Sequence, residues 1–160
     1  DAIIYSVPVY HMSIPGQLKC FIDRLGNTVF KKFKGKSAIP KFMKVVGVIA
    51  QGIHIFSGQE HTMTDLINHA LTMGCIPVTG DLWHSYIGVG GWTFNELDTD
   101  ALKKHYEKGD IDACVAVEAA RTLGKRVAQM TIIVKKGALA AKQLLEKDDA
   151  FKFFIENLKI

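Results

Sequence analysis

The chain has few cysteines and no cysteine motif. Among its 160 residues are three cysteines, at positions 20, 75 and 114. Because three is an odd number and the spacings are wide, the cysteines predict neither a disulfide framework nor a CxxC metal or cluster site. We therefore expect a reducing, cytoplasmic compartment and no metal site.

Long apolar runs and a strong excess of one charge are also missing. No apolar run approaches the roughly 18–20 residues that span a bilayer, so we expect no membrane partner. Twenty Lys and Arg residues against sixteen Asp and Glu give a net charge of +4. The basic residues are dispersed along the chain, which argues against nucleic acid as a partner.

The chain does have ample apolar material, with 48% hydrophobic residues, enough for one domain with a buried core. Residues 1–9 (DAIIYSVPV) predict a strand that is buried on both faces. An amphipathic helix follows, with Ser13 or Ile14 at the cap position, Pro15 in the first turn and Gly26 at the end.

The rest of the chain continues the alternation of strands and helices. Residues 43–50 predict a second buried strand, and Ser57 and Glu60 have the spacing of a capping box for a helix that ends at Gly74. The remaining predictions are a short strand at 75–79, a long loop with one helical turn over 80–108, a helix from Asp110 to about Met130, and helical segments within 138–158.

This order predicts an α/β domain with a parallel sheet and helices on both faces. Three strands are few for such a domain, because a first strand buried on both faces needs a neighbour along its edge. We therefore expect a part of the sheet to precede Asp1. Residues 1–135 are predicted to form the domain body and residues 136–160 a C-terminal helical extension.

Ligands of open α/β sheets bind at the carboxyl ends of the strands, which here directs attention to residues 8–15 and 51–59. The first of these segments contains PVYHMSIP, with a proline at each end. The second, QGIHIFSG, brackets a mostly apolar stretch between Gly52 and Gly58. A flat heteroaromatic ligand would cover that apolar surface.

The run DAIIYSVPVYHMSIPGQLKCFIDRLG resembles the third strand, flavin loop and third helix of the NADPH-dependent FMN reductase and iron–sulfur flavoprotein group, within the flavodoxin-like superfamily. The segment SGQEHT at residues 57–62 is similar to the Gly-Gly-Gln-Glu-Thr segment after the fourth strand of that group. The resemblance covers about residues 1–80. One departure is Ser6-Val7 before Pro8, where the group has Gly-Ser or Gly-Thr. The residues that match in order are Pro8, Tyr10, Pro15, Leu18, Lys19, Phe21, Ile22, Asp23 and Arg24.

The resemblance implies FMN as cofactor and a flavodoxin-like doubly wound sheet whose first two strands and phosphate-binding loop lie before Asp1. The flavin ring would lie over the segment from Pro8 to Ser13, with the N–H groups of Val9, Tyr10 and their neighbours reaching its polar edge. Backbone from Gln51 to His54 would close its pyrimidine side. The implied cofactor-binding residues are Ser6, Pro8, Val9, Tyr10, His11, Met12, Ser13, Gln51, Gly52, Ile53, His54 and Gly58.

The activity implied by the resemblance is that of an FMN-dependent NAD(P)H oxidoreductase, acting as a homodimer or homotetramer. Hydride would pass from the nicotinamide to the flavin, and electrons would then pass to a quinone, free flavin, metal ion or protein. This transfer requires no side-chain acid or base, so no catalytic residue is nominated. Two alternatives stay open: an electron carrier of the iron–sulfur flavoprotein type without a nicotinamide site, and an interaction domain that has lost its flavin.

Overall fold

The computed structural model describes residues 1–81 and 83–158. Within them, strands and helices alternate along most of the chain, as the apolar pattern predicts. The elements are β1 (Ala2–Pro8), α1 (Gly16–Phe33), β2 (Val45–Gly52), α2 (Gln59–Thr72), β3 (Ile76–Pro77), β4 (Val89–Trp92), α3 (Ala101–Glu107), α4 (Ile111–Ala140), α5 (Lys142–Leu145) and α6 (Asp149–Glu156).

Strand β2 lies at the centre of a parallel sheet. On one side it pairs with all of β1, in a register that places Pro8 beside Gln51. On its other side, β3 pairs with the first residues of β2 and β4 pairs with the last ones, where Gly52 lies beside Trp92. Because every pairing is parallel, β1, β2 and β4 all end at one edge of the sheet. The predicted α/β class is confirmed.

Helices cover both faces of this sheet. Helices α1 and α2 pack on one face, and α4 packs on the other, which is the arrangement of a doubly wound fold. No helix within the described ranges is long and apolar enough to cross a membrane. The core on the first face includes Ile22, Val46, Val48, Met63 and Leu66, and the core on the second includes Val45, Val89, Leu123 and Val127.

Strand β1 differs from its prediction. Its second edge has no strand partner within residues 1–81 and 83–158, and the side chains of Ile3 and Ile4 are 37% and 45% exposed. The prediction that this strand is buried on both faces is therefore wrong for the described chain. The two further strands that we expect before Asp1 stay a prediction.

Two helices run further than predicted. Helix α1 passes through Gly26 and ends at Phe33, because a helix interior accepts a glycine at a cost of only about 0.5–1 kcal/mol. Helix α4 continues to Ala140, since Val134 and the buried Ala138 extend its apolar stripe. The predicted cap of α4 is confirmed, because the Asp110 carboxylate accepts hydrogen bonds from the first turn.

Helix α4 runs without a break through the boundary that we predict between the domain body and the C-terminal extension. The boundary that we place after Lys135 falls inside this helix. Beyond it, α6 packs on the body of the domain: Phe153 stacks edge-to-face on Phe33 and on Phe42, at centroid distances of 6.0 and 5.4 Å. Residues 136–160 as a separate extension stay a prediction.

Strand β4 is the element that the sequence pattern misses. Its Gly-rich sequence VGGW lies in the segment predicted to be a loop. Glycine is required just before β4, because a Cβ at Gly88, whose φ is +144°, would lie 2.5 Å from the Val48 carbonyl oxygen of β2. This close approach of the chain to β2 has no apolar periodicity that would reveal it, so the sequence pattern does not predict the strand.

Candidate functional site

Two loops meet at the carboxyl edge of the sheet. We call residues 9–15, after β1, the first loop and residues 53–58, after β2, the second loop. They touch through backbone atoms, since a Cβ on Gly58 would lie 2.6 Å from both the Cα and the carbonyl oxygen of Met12. Gly58 also has a φ of +101°, which side chains rarely permit. Glycine at this position therefore allows the two loops to pack together.

The first loop is a tight turn that closes on itself. The Tyr10 and Ser13 N–H groups each donate to the other residue's carbonyl oxygen, at 3.0 and 3.1 Å. The two residues between them, His11 and Met12, have φ angles of 48° and 68°, as in a type I′ turn. These two hydrogen bonds do not involve the N–H groups of His11 and Met12.

This geometry corrects the expected flavin donors. The Val9 N–H donates to the Gln51 carbonyl oxygen at 2.8 Å, and the Tyr10 N–H is held by Ser13, so neither is available to a ligand. The N–H groups of His11 and Met12 make no hydrogen bond within residues 1–81 and 83–158. The first loop thus presents two neighbouring amide donors, His11 and Met12, two positions beyond Val9 and Tyr10.

Ser57 shapes the second loop instead of capping α2. Its hydroxyl accepts a hydrogen bond from the His54 N–H at 2.8 Å and donates one to the His54 carbonyl oxygen at 2.5 Å. Helix α2 begins after Gly58, which provides no side-chain cap. The predicted capping box of Ser57 and Glu60 is therefore wrong, because the serine closes its own loop.

The side chain of Gln59, a residue that the sequence did not assign to the site, holds the second loop in place through hydrogen bonds. Its side chain is buried, and its amide nitrogen donates to the carbonyl oxygens of His54 at 2.7 Å and Gly91 at 3.2 Å. Its amide oxygen accepts from the Ser57 N–H at 3.0 Å. A Cβ on Gly52 would lie 2.8 Å from the Gln59 amide nitrogen. The one available signal was its place in the Gly-Gln-Glu segment.

The segment after β4 also holds the second loop. The Thr93 N–H donates to the Gly52 carbonyl oxygen at 3.1 Å, and the Asn95 N–H donates to the Ile53 carbonyl oxygen at 3.0 Å. The Asn95 side-chain oxygen also contacts Nδ1 of His54. No local sequence pattern links His54 to a residue 41 positions away, so Asn95 could not be found from the sequence.

An open groove of about 770 Å³ runs beside the two loops, between α2 and residues 84–92. Its volume is in the range of small-molecule sites, roughly 300–1,000 Å³. Phe56 and Tyr86 at its rim are 87% and 71% exposed, and Gly88 and Gly90 add no side chains to it. The groove is lined by Met12, Ile55, Phe56, Gly58, Gln59, Glu60, His61, Met63, His84, Tyr86, Ile87, Gly88, Gly90, Gly91 and Trp92.

The structure brings only some of the predicted site residues to this groove. Met12 and Gly58 line it, whereas Ser13 donates to Asp65 at 2.8 Å and lines a different groove between α1 and α2. Gln51 lines a small apolar cavity against α4. Ser6 and Pro8 alternate with the β1 residues that pack on the α1 and α2 face, so their side chains point to the opposite face.

The chain is similar to known flavoproteins. It is 36% identical over 66 residues to an FMN-dependent NADH:quinone oxidoreductase from Sinorhizobium fredii (strain NBRC 101917 / NGR234). That alignment covers 39% of this chain and 32% of the relative, so the chain spans about a third of the length of the curated relative that it matches.

A solved structure of a flavodoxin, WrbA-like protein from Agrobacterium tumefaciens has 23% sequence identity and a TM-score of 0.46, and the match covers 74% of this chain and 67% of that one. The model of the family described as NADPH-dependent FMN reductase matches residues 1–85, more than half of the 160 residues. The resemblance noted in the sequence is therefore confirmed, and the chain belongs to the NADPH-dependent FMN reductase family.

Proposed function

We propose that this protein binds FMN at the carboxyl edge of its sheet and acts as an NAD(P)H-dependent oxidoreductase that delivers electrons to a quinone. The observation that carries the proposal is the pair of neighbouring N–H donors, at His11 and Met12, beside a groove with exposed aromatic walls. Family membership supports FMN, and the curated relative's name supports both a nicotinamide donor and a quinone acceptor.

The residues present fit a flavin. The ring is flat and apolar over most of its surface and carries polar atoms along one edge, so it needs apolar walls and a few fixed polar groups. The groove supplies the walls with Phe56 and Tyr86, and the first loop supplies the fixed N–H groups of His11 and Met12. When bound, FMN accepts a hydride from a nicotinamide and passes electrons to the acceptor.

The chain's own contribution is electrostatic and positional. Amide dipoles that are fixed before the reaction stabilise negative charge that develops on a bound ring without having to reorient. The turn that holds His11 and Met12 is closed by two hydrogen bonds, so these donors are fixed in that sense. The second loop, which is held by Ser57 and Gln59, would orient the ring and keep water from part of its surface.

The acceptor side of the proposal follows from the exposed apolar rim of the groove. Ile55 and Ile87 extend the surface made by Phe56 and Tyr86, and each is more than a third exposed. A flat quinone would cover such a surface better than a metal ion would. We also propose a homodimer or homotetramer, because Phe21 and Leu71 lie exposed on α1 and α2, at 56% and 58%.

Spectroscopy of the purified full-length protein tests the proposal. We expect the absorption bands of oxidised flavin, either as isolated or after reconstitution with FMN. Anaerobic NADH or NADPH should bleach these bands within minutes, and a soluble benzoquinone should restore them. A protein that cannot be loaded with FMN would contradict the proposal. A flavin that neither nucleotide reduces without a partner reductase would instead favour the electron carrier.

A further inference from the structure

The segment after β4 holds two successive residues in an unusual backbone conformation. Phe94 and Asn95 have φ angles of 56° and 65°. For a bulky residue such as Phe94 this left-handed conformation is a genuine outlier, which persists only when the surrounding structure enforces it. Strained residues of this kind concentrate at functional sites.

Packing against α3 enforces it. The Phe94 ring stacks on His105 with a centroid distance of 3.7 Å and an interplanar angle of 7°, and it lies 4.4 Å from the Trp92 ring. His105 is in turn held by Glu96, whose carboxylate oxygen lies 2.8 Å from Nε2. On the other side, an Asp110 carboxylate oxygen lies 3.7 Å from His105 Nδ1. The strained pair is therefore fixed to the end of α3 and the beginning of α4.

The supported residue Asn95 makes two contacts with the second loop. The Asn95 side-chain oxygen pairs with Nδ1 of His54, and the Asn95 N–H donates to the Ile53 carbonyl oxygen. An amide oxygen can only accept, so in the neutral imidazole the single proton must be on Nδ1. Nε2 of His54 then carries a lone pair and acts as an acceptor.

We propose that Asn95 is a positioning residue that fixes the tautomer of His54, which directly precedes the groove-lining Ile55 and Phe56, so that Nε2 accepts a hydrogen bond from the imide N–H of bound FMN. This inference rests on the proposed function. The polar edge of a flavin presents one N–H donor between two carbonyl acceptors. The amides of His11 and Met12 can satisfy only acceptors, so the imide N–H needs an acceptor from the protein.

A set of variants in the full-length protein tests the role of Asn95, with the FMN dissociation constant read from flavin fluorescence quenching. Asn95→Gly removes the side chain but tolerates the positive φ, so it isolates the hydrogen bond from the strain. We expect it to weaken FMN binding about tenfold, the usual worth of one such bond. Asn95→Asp keeps an acceptor oxygen and should stay within about threefold of the wild type. Asn27→Ala, which removes an exposed amide from α1, is the matched control.

A double-mutant cycle separates positioning from general support. His54→Ala alone should also weaken FMN binding about tenfold, and adding Asn95→Gly to it should weaken binding no further. Equal losses from Asn95→Gly with and without His54 would overturn the inference, because Asn95 would then act independently of the imidazole. An unchanged dissociation constant in either single variant would overturn it as well.

The tautomer can be read without flavin. Nitrogen-15 NMR of the histidine-labelled apoprotein should show His54 with its proton on Nδ1 in the wild type and a loss of that preference in Asn95→Gly. A proton on Nε2 in the wild type would overturn the inference. FMN binding that the Asn95→Gly variant leaves intact would overturn this inference alone, whereas a wild-type protein that binds no FMN would overturn the proposed function too.

Discussion

The two loops at the carboxyl edge of the sheet keep their shapes in different ways. The first loop is closed by two hydrogen bonds between its own residues, Tyr10 and Ser13. The second loop has one local closure, between His54 and Ser57, and otherwise depends on Gln59 and on the segment after β4. The turn from Tyr10 to Ser13 should therefore keep its shape when residues after β4 or in the second loop other than Gly58 are substituted, whereas the second loop should respond to residues some forty positions away.

Gly58 is an exception, because the shapes of both loops depend on its close contact with the backbone of Met12. Gly58→Val would place a branched side chain at a φ of +101° and against the backbone of Met12. We expect the largest effect here, with the free energy of unfolding lowered by about 3 kcal/mol and FMN binding lost. Urea denaturation and FMN titration would measure both quantities.

A matched glycine variant provides the control for Gly58. Gly137 lies within α4, and a Cβ at that position would meet nothing within 4 Å. Gly137→Ala should therefore raise the free energy of unfolding by about 0.5–1 kcal/mol. If Gly58→Val were as stable as the wild type and still bound FMN, the two loops would not depend on this contact.

Gln59→Leu should produce a smaller effect, confined to the second loop. The change removes the Gln59 bonds to the Gly91 carbonyl oxygen, to the Ser57 N–H and to the His54 carbonyl oxygen, of which the last keeps its bond from the Ser57 hydroxyl. We expect the free energy of unfolding to fall by about 2 kcal/mol, the usual cost of unsatisfied buried polar groups. Limited proteolysis should then cut the second loop faster, with cutting of the first loop unchanged.

The exposed Gln129→Leu on α4 is the corresponding control, and it should change the free energy of unfolding by less than about 0.5 kcal/mol. Faster cleavage of both loops in Gln59→Leu would break the comparison, because it would show that the first loop also takes its order from outside. Equal cleavage of the wild type and the variant would show that Gln59 does not hold the second loop.

The difference between structure held by nearby residues and structure held by distant ones also explains which elements the sequence predicts well. Strands β1 and β2, helix α2 and the Asp110 cap depend on neighbours in the chain, through apolar runs, helical spacing and a cap bond, and all are present. The position of the two loops at one edge also follows from the parallel order. The family resemblance rests on these same local motifs, within residues 1–85.

What the sequence does not predict depends on distant parts of the chain. Strand β4 pairs with a strand about forty positions earlier, the chain just before it approaches β2 closely at Gly88, and Asn95 reaches His54 only once that strand is in place. The free N–H groups of the first loop lie two positions beyond Val9 and Tyr10, and the sequence does not show this for another reason. A type I′ turn is ordinarily announced by Asn-Gly, and His11-Met12 carries no such signal.

Introducing the missing Asn-Gly signal into the first loop should have the smallest effect of the changes considered. Combining His11→Asn with Met12→Gly installs the residues that a type I′ turn prefers, so the free energy of unfolding should rise by about 1 kcal/mol. If only the backbone N–H groups of the turn contact FMN, its dissociation constant should stay within about threefold of the wild type. Met12→Leu, which keeps an apolar side chain in the groove and leaves the turn as it is, should change neither quantity. A loss of FMN binding in the double variant but not in Met12→Leu would move the contact from the amides to the side chains, and the first loop would then resemble the second in relying on more than its own backbone.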